Sequence, residues 1–168
     1  LQQQELSISD ALQALQLMHV CDTPVGDENM RGVSGGQRKR TNVGLELAAA
    51  PLALFLDEPT SGLDSTSALV LCGVLRDLAR RAGVTVAMVI HQPRPEIFDA
   101  LDELLLLAPG GKTVYQGQQE LVAQYFDEVL GVTFGPRDNP ADAIMDCIGT
   151  DGEEYARRWE SEGRALAR

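Results

Sequence analysis

Basic residues are scarce in this chain: 14 Lys and Arg stand against 25 Asp and Glu in 168 residues, a formal net charge of −11. A nucleic-acid-binding surface needs a basic face, so no nucleic-acid partner is expected, and the acidic excess itself serves ordinary solubility. Aromatics are only 5% of the sequence, which leaves Leu, Val and Ala to build most of the core. The three cysteines, Cys21, Cys72 and Cys147, lie far apart with no C-x-x-C spacing. They make neither a disulfide framework nor a zinc site and fit a reducing compartment. Long apolar runs are missing too. The longest, around Leu104 to Ala108, is strand-sized, well short of the ~20 residues that cross a bilayer. No secretory signal is visible. The chain opens at Leu1, without a Met, on a polar stretch, and reads as an excerpt of a longer protein. What is present is 44% hydrophobic and 23% charged, a globular composition long enough for one domain with a real core.

Ser7-Ile8-Ser9-Asp10 offers a helix start of the S-x-x-D type, after which Leu12, Leu15 and Met18 recur at helical spacing. This helix should fade near Asp22-Thr23-Pro24, and a loop runs on to Gly32. A second helix begins at Ser34 and stops near Pro51. Leu52 to Leu56 is wholly apolar, the pattern of a strand buried on both faces, and ends at Asp57-Glu58-Pro59. Asp64 or Ser65 then caps a helix whose Ala68, Leu71, Cys72, Leu75, Ala79 and Ala82 keep an amphipathic rhythm up to Gly83. Val84 to Ile90 is the next strand, ending at His91. Strand, helix and strand make a βαβ unit with parallel strands and a right-handed crossover. Further strands at Leu104–Leu107 and Thr113–Tyr115 flank a turn at Ala108-Pro109-Gly110-Gly111. A helix over about Gln119–Leu130, a loop holding Asn139-Pro140-Ala141-Asp142, and a charged helical tail beyond Gly152 complete the chain.

The chemistry sits at strand ends. Asp57-Glu58 and His91 each follow a strand at its carboxyl end, the edge where open parallel sheets bind ligands. Alone, a carboxylate pair there is commonly turn chemistry, and a lone His is commonly structural. Ser34-Gly35-Gly36-Gln37 is either a capped turn or an anion site, where small residues expose a helix N-terminus. An apolar strand delivering Asp then Glu resembles a Walker B motif, and Val33-Ser34-Gly35-Gly36-Gln37 resembles the signature motif of ABC ATPases.

Together these motifs make nearly the whole chain similar to the C-terminal portion of an ABC nucleotide-binding domain. Ser61-Gly62-Leu63-Asp64 matches the family's D-loop, and His91 falls where its switch histidine follows the next strand. Val33 to Arg40, His91-Gln92-Pro93-Arg94, Gly111 to Gly117 and Asn139-Pro140-Ala141-Asp142 resemble the White-type, or G, subfamily. The resemblance implies an α/β fold, a partial P-loop NTPase with a parallel sheet, flanking helices and a C-terminal β-hairpin. It divides the chain into residues 1–150, with the signature helix closing the first 50, and a tail or connector over 151–168.

The implied cofactors are ATP and Mg²⁺. Asp57 would hold the metal, Glu58 would orient the attacking water and His91 would contact the γ-phosphate, while Ser34, Gly35, Gly36, Gln37, Ser61, Gly62 and Asp64 would bind nucleotide. The implied partners are a second nucleotide-binding domain, arranged head to tail, and a transmembrane domain. The place is the cytoplasmic face of a membrane. Gly110-Gly111-Lys112-Thr113 only mimics the end of a P-loop, because Leu106 stands where the first glycine belongs and a strand follows instead of a helix. No other G-x-x-x-x-G-K-[ST] occurs, so P-loop and Q-loop would lie upstream of Leu1 and the isolated chain should hydrolyse almost no ATP. Two alternatives are a soluble ABC-type ATPase of DNA repair or chromosome maintenance, which should show heptads beside the signature, and an inactive fragment.

Overall fold

The computed structural model describes residues 8–27, 30–135 and 138–163, in two compact units, 1–91 and 92–168. Ser7 of the expected S-x-x-D start lies outside the described residues.

In the first unit, α1 (Ile8–Ala14) and a 3₁₀ turn (Met18–Val20) precede α2 (Gly35–Leu47), β1 (Ala53–Asp57), α3 (Ser65–Ala82) and β2 (Thr85–Val89). β1 and β2 pair in parallel, with Leu54 opposite Val86 and Asp57 opposite Val89. The crossover helix forms where the apolar rhythm placed it. Asp64 caps its start and Gly83, at φ 67, ends it in the left-handed region that glycine enters without strain. Leu71, Val74, Leu75 and Leu78 of α3 are buried with Leu15, Leu17, Val43, Leu47, Leu54 and Val84.

One expectation needs correcting. β1 is apolar on both faces but buried on one only: Leu54 is 4% exposed while its neighbour Phe55 is 83% exposed, and Val89 on β2 is 60% exposed. Alternation along a strand sends successive side chains to opposite faces, and only the Leu54 face meets α3. The described residues therefore present one apolar face of this sheet uncovered.

The second unit is built on a hairpin. β3 (Glu103–Ala108) pairs antiparallel with β4 (Lys112–Gln118), with a bulge between Leu106 and Leu107. The Gly110-Gly111 turn has φ of 81 and 75, and Lys112 lies 3.4 Å from Glu153 Oε1, so the P-loop mimic is a hairpin with its lysine engaged. A short helix that composition did not announce, α4 (Pro95–Phe98), starts on Pro95 and buries Ile97 and Phe98. The helix read over about Gln119–Leu130 is a composite: a 3₁₀ turn (Gln119–Leu121), α5 (Val122–Tyr125) and a π turn (Phe126–Leu130) that buries Phe126 and Leu130 before Gly131 ends it at φ 72.

α6 (Pro140–Ser161) replaces the loop expected at Asn139-Pro140. Asn139 Oδ1 accepts the Ala141 N–H at 3.2 Å, and Pro140 occupies the first helical position, where its missing N–H costs nothing. The backbone leaves helical geometry at Asp151, φ −123, the residue at which the tail was expected to begin.

Tyr115, Tyr125 and Trp159 pack with ring centroids 5.2 to 5.7 Å apart, forming the aromatic centre of this unit. The Tyr125 hydroxyl is buried without a partner among the described residues, and burial pushes its pKa up to about 12. A raised value means stability that is intact below the unfolded pKa near 10 and is lost as pH rises toward about 12. Tyr125→Phe is expected to leave stability at pH 7 unchanged or raised by up to about 1 kcal/mol, and to flatten the alkaline loss. Melting curves between pH 7 and 12 check this; a destabilised Phe variant at pH 7 would mean that the hydroxyl has an unseen acceptor.

Candidate functional site

The β1–β2 register sets the geometry of the strand-end site. Asp57 faces Val89, and the Glu58 N–H donates to the Val89 carbonyl at 3.0 Å, extending the ladder one residue past β1. His91 follows two residues later, so Asp57, Glu58 and His91 share one rim, all three exposed. Just past each strand stands a non-glycine residue in the left-handed region, Glu58 at φ 42 and Gln92 at φ 46. Such conformations cost on the order of 1 kcal/mol and concentrate at functional sites. Asp57 has no side-chain partner among the described residues. Its hard oxygens fit Mg²⁺, which needs only one or two carboxylates because it keeps most of its water. No cluster of three or more metal-ligating side chains occurs among the described residues.

From Glu58 the chain turns immediately. The Ser61 N–H donates to the Glu58 carbonyl at 3.0 Å and the Leu63 N–H to that of Thr60 at 3.2 Å. Ser61 and Gly62 are exposed in this loop. Asp64 is engaged by its own helix: Oδ1 accepts the N–H groups of Thr66 and Ser67, both at 3.0 Å. Hydrogen bonds from the Ser67 side chain and backbone hold its carboxyl below the usual carboxylate range.

The Ser34 turn is a reciprocal cap. Ser34 Oγ accepts the Gln37 N–H at 3.3 Å, and Gln37 Oε1 accepts the Ser34 N–H at 2.7 Å. Gln37 Nε2 lies 3.3 Å from His19 Nε2. With Oε1 committed to an N–H, that amide nitrogen must donate, so His19 accepts at Nε2 and carries its proton on Nδ1. The two glycines do different work. A Cβ on Gly36 would sit 2.9 Å from both Cβ and Oγ of Ser67, so its bareness lets the first turn of α2 approach the first turn of α3. Gly35 is exposed, with only a Leu63 methyl 3.9 Å from where its Cβ would be. The Gly35 and Gly36 amides have no acceptor among the described residues, as expected for the first turn of a helix. Ser34 spends an oxygen lone pair on the cap and keeps its O–H to donate.

The structure therefore brings Asp57, Glu58 and His91 to one rim, and sets the Ser34–Gln37 turn beside Leu63 and Ser67, at the end of the Ser61–Asp64 loop. Two residues of this neighbourhood escaped the sequence reading. His19 gave no signal beyond its type, and Arg40, which entered only as the last residue of the Val33–Arg40 run, is buried at 7% exposure. Its spacing of three from Gln37 and from Val43 was the available clue.

Strand ends, turn and crossover helix together define an ABC-type ATPase domain, and comparisons with known proteins agree. A family model described as ABC transporter matches residues 2–61, and one described as ABC-2 type transporter matches residues 91–155. The solved ADP conformation of MJ1267, an ATP-binding cassette of an ABC transporter, superposes with a TM-score of 0.57 at 22% identity, covering 83% of this chain and 47% of that one. The chain belongs to the ABC transporter family, in its ATP-binding domain, and within it to the G, or White-type, subfamily. It is 48% identical over 145 residues to ABC transporter G family member 28 of Arabidopsis thaliana, covering 85% of this chain and 13% of that protein. It is 43% identical over 144 residues to the broad substrate specificity ATP-binding cassette transporter ABCG2 of Mus musculus, covering 86% of this chain and 22% of that protein. The chain spans less than a quarter of the length of these relatives. No described helix is long and apolar enough to cross a membrane.

Proposed function

We propose that this chain supplies the signature turn, Walker B carboxylates, D-loop and switch histidine of the ATP-hydrolysing domain of a G-subfamily transporter. The observation that carries it is the shared rim: Asp57 opposite Val89, Glu58 bonded to Val89, and His91 two residues on. Residues 1–150 form the cassette portion and residues 151–168 lead toward the membrane domain. The domain works on the cytoplasmic face, head to tail with a second nucleotide-binding domain.

Mg²⁺, when bound, neutralises charge on the triphosphate oxygens. Asp57 would hold it through water. Glu58 would orient the attacking water from its strained position, and His91 would donate to the γ-phosphate. Gln37 fixes the Ser34 turn, whose hydroxyl and Gly35 and Gly36 amides would serve a triphosphate held by the opposing domain. Ser61 and Gly62 lie in the loop that follows Glu58. Asp64 acts through its cap on α3, positioning that loop. The overall task is ATP-driven movement of a substrate across a membrane. The DNA-repair reading finds no support in relatives that are transporters by name.

The test uses the full-length protein in membrane vesicles. Ser34→Arg fills the turn with a bulky side chain and is expected to lower ATP turnover at least about tenfold, since a small displacement at a phosphoryl-transfer site is costly. Turnover unchanged by Ser34→Arg would remove the turn from the site.

A further inference from the structure

Arg40 is the one buried charged side chain among the described residues, 7% exposed in the middle of α2. Its guanidinium makes no hydrogen bond or ion pair with any of them, and Nε is enclosed without an acceptor. Burial pulls its pKa below the ordinary value, yet a guanidinium stays charged in any folded protein. A buried charge left uncompensated is among the costliest arrangements a fold can hold, and it persists where something supplies the counter-charge.

The surroundings indicate what that is. Arg40 lines a cavity of about 410 Å³ together with Gln13, Gln16, His19, Thr66 and Ser67. No carboxylate among the described residues lines it. The nearest acid in sequence to its wall, Asp64, spends its carboxylate on Thr66, Ser67 and the start of α3. Met18 and Val70 supply apolar wall. Of the remaining polar groups, the two amides, the Thr66 hydroxyl and an imidazole whose proton is on Nδ1 can all donate, while the Ser67 hydroxyl already bonds to Asp64. A planar fork of N–H donors, ringed by neutral donors and free of carboxylates, matches a tetrahedral oxyanion.

We propose that this cavity binds a small phosphate-bearing molecule, its phosphoryl oxygens taken by Arg40, in a regulatory or structural site separate from the Ser34 turn and the Asp57–His91 rim. Because α1, α2 and α3 all contribute walls, occupancy would brace the signature helix against the helix that follows the D-loop. The probe is inorganic phosphate, titrated into the nucleotide-free full-length protein at constant ionic strength and read by melting temperature. The expected result is a saturable rise with phosphate and sulfate, and a response at least about tenfold weaker with acetate. Arg40→Met should abolish the response without lowering the melting temperature in phosphate-free buffer, and Arg40→Lys should weaken binding roughly tenfold by losing the fork. If Arg40→Met does not fold, Gln13→Leu and His19→Leu are expected to weaken phosphate binding about threefold each. Equal responses to phosphate, acetate and chloride would overturn the site. So would a response that survives Arg40→Met and vanishes in Ser34→Ala, which would place the anion on the signature turn.

Discussion

Glu58→Gln in the full-length protein is expected to lower ATP turnover at least about 100-fold while leaving nucleotide affinity within about threefold, the range for a lost general base. The substitution keeps size and shape and removes only the charge that draws a proton from water. The backbone reinforces the expectation. Glu58 stands at φ 42, immediately before Pro59, with its N–H tied to Val89 and its carbonyl to Ser61. These two hydrogen bonds hold a conformation that a β-strand residue would leave, and Gln keeps both. A fall in turnover of Glu58→Gln therefore reports chemistry rather than folding. Glu58→Gly separates the two further. It should relieve about 1 kcal/mol of left-handed strain and yet be as inactive as the Gln variant. Wild-type turnover in Glu58→Gln would end the assignment of Glu58 as the water-orienting carboxylate. The 168-residue chain alone is expected to show no measurable turnover, with or without the substitution, since it holds no P-loop sequence.

The largest effect on stability is expected at Trp159, the only tryptophan in the chain. It is 5% exposed, lies 5.7 Å from Tyr115 and 5.5 Å from Tyr125 between ring centroids, and anchors the second half of α6 past the irregular Asp151. Trp159→Ala removes the largest side chain from that centre and should cost about 3–5 kcal/mol. For a unit of this size the melting temperature falls by at least about 10 °C. Trp159→Phe, which preserves an aromatic edge contact, should cost less than half as much. Circular dichroism melting of the second unit's helices measures both, and a loss below about 1 kcal/mol for the alanine variant would show that α6 is held elsewhere. Arg158 is the natural alternative anchor, since its Nη1 donates to the Val129 carbonyl at 3.1 Å.

Much of the fold was legible because local rules and tertiary packing agree over α3. The apolar repeat, the Asp64 cap and the Gly83 stop are all encoded within four or five residues of where they act. The hairpin was equally plain, since Gly110-Gly111 requires left-handed backbone. α4 was missed because a four-residue helix carries too few apolar positions to show a period. Asn139-Pro140 is ambiguous in isolation, because the same pair serves a turn or a helix start, and only the packing of Ala141, Ile144 and Ile148 decides for the helix. The first strand was overread: an apolar run reports what a strand can bury, while Phe55 at 83% exposure shows what the described residues cover.

The sequence by itself determined the family, and it singled out the carboxylate pair, the imidazole and the serine-glycine turn as candidates, because each is a short run whose meaning lies in residue order. Only the tertiary structure decided that Gly36 is bare to admit Ser67, that Gln37 links the turn to His19, and that Arg40 is enclosed without a counter-charge among the described residues. Those three facts concern which helices meet and how closely. Helix packing distances depend on side chains far apart in the chain, and no local pattern carries them.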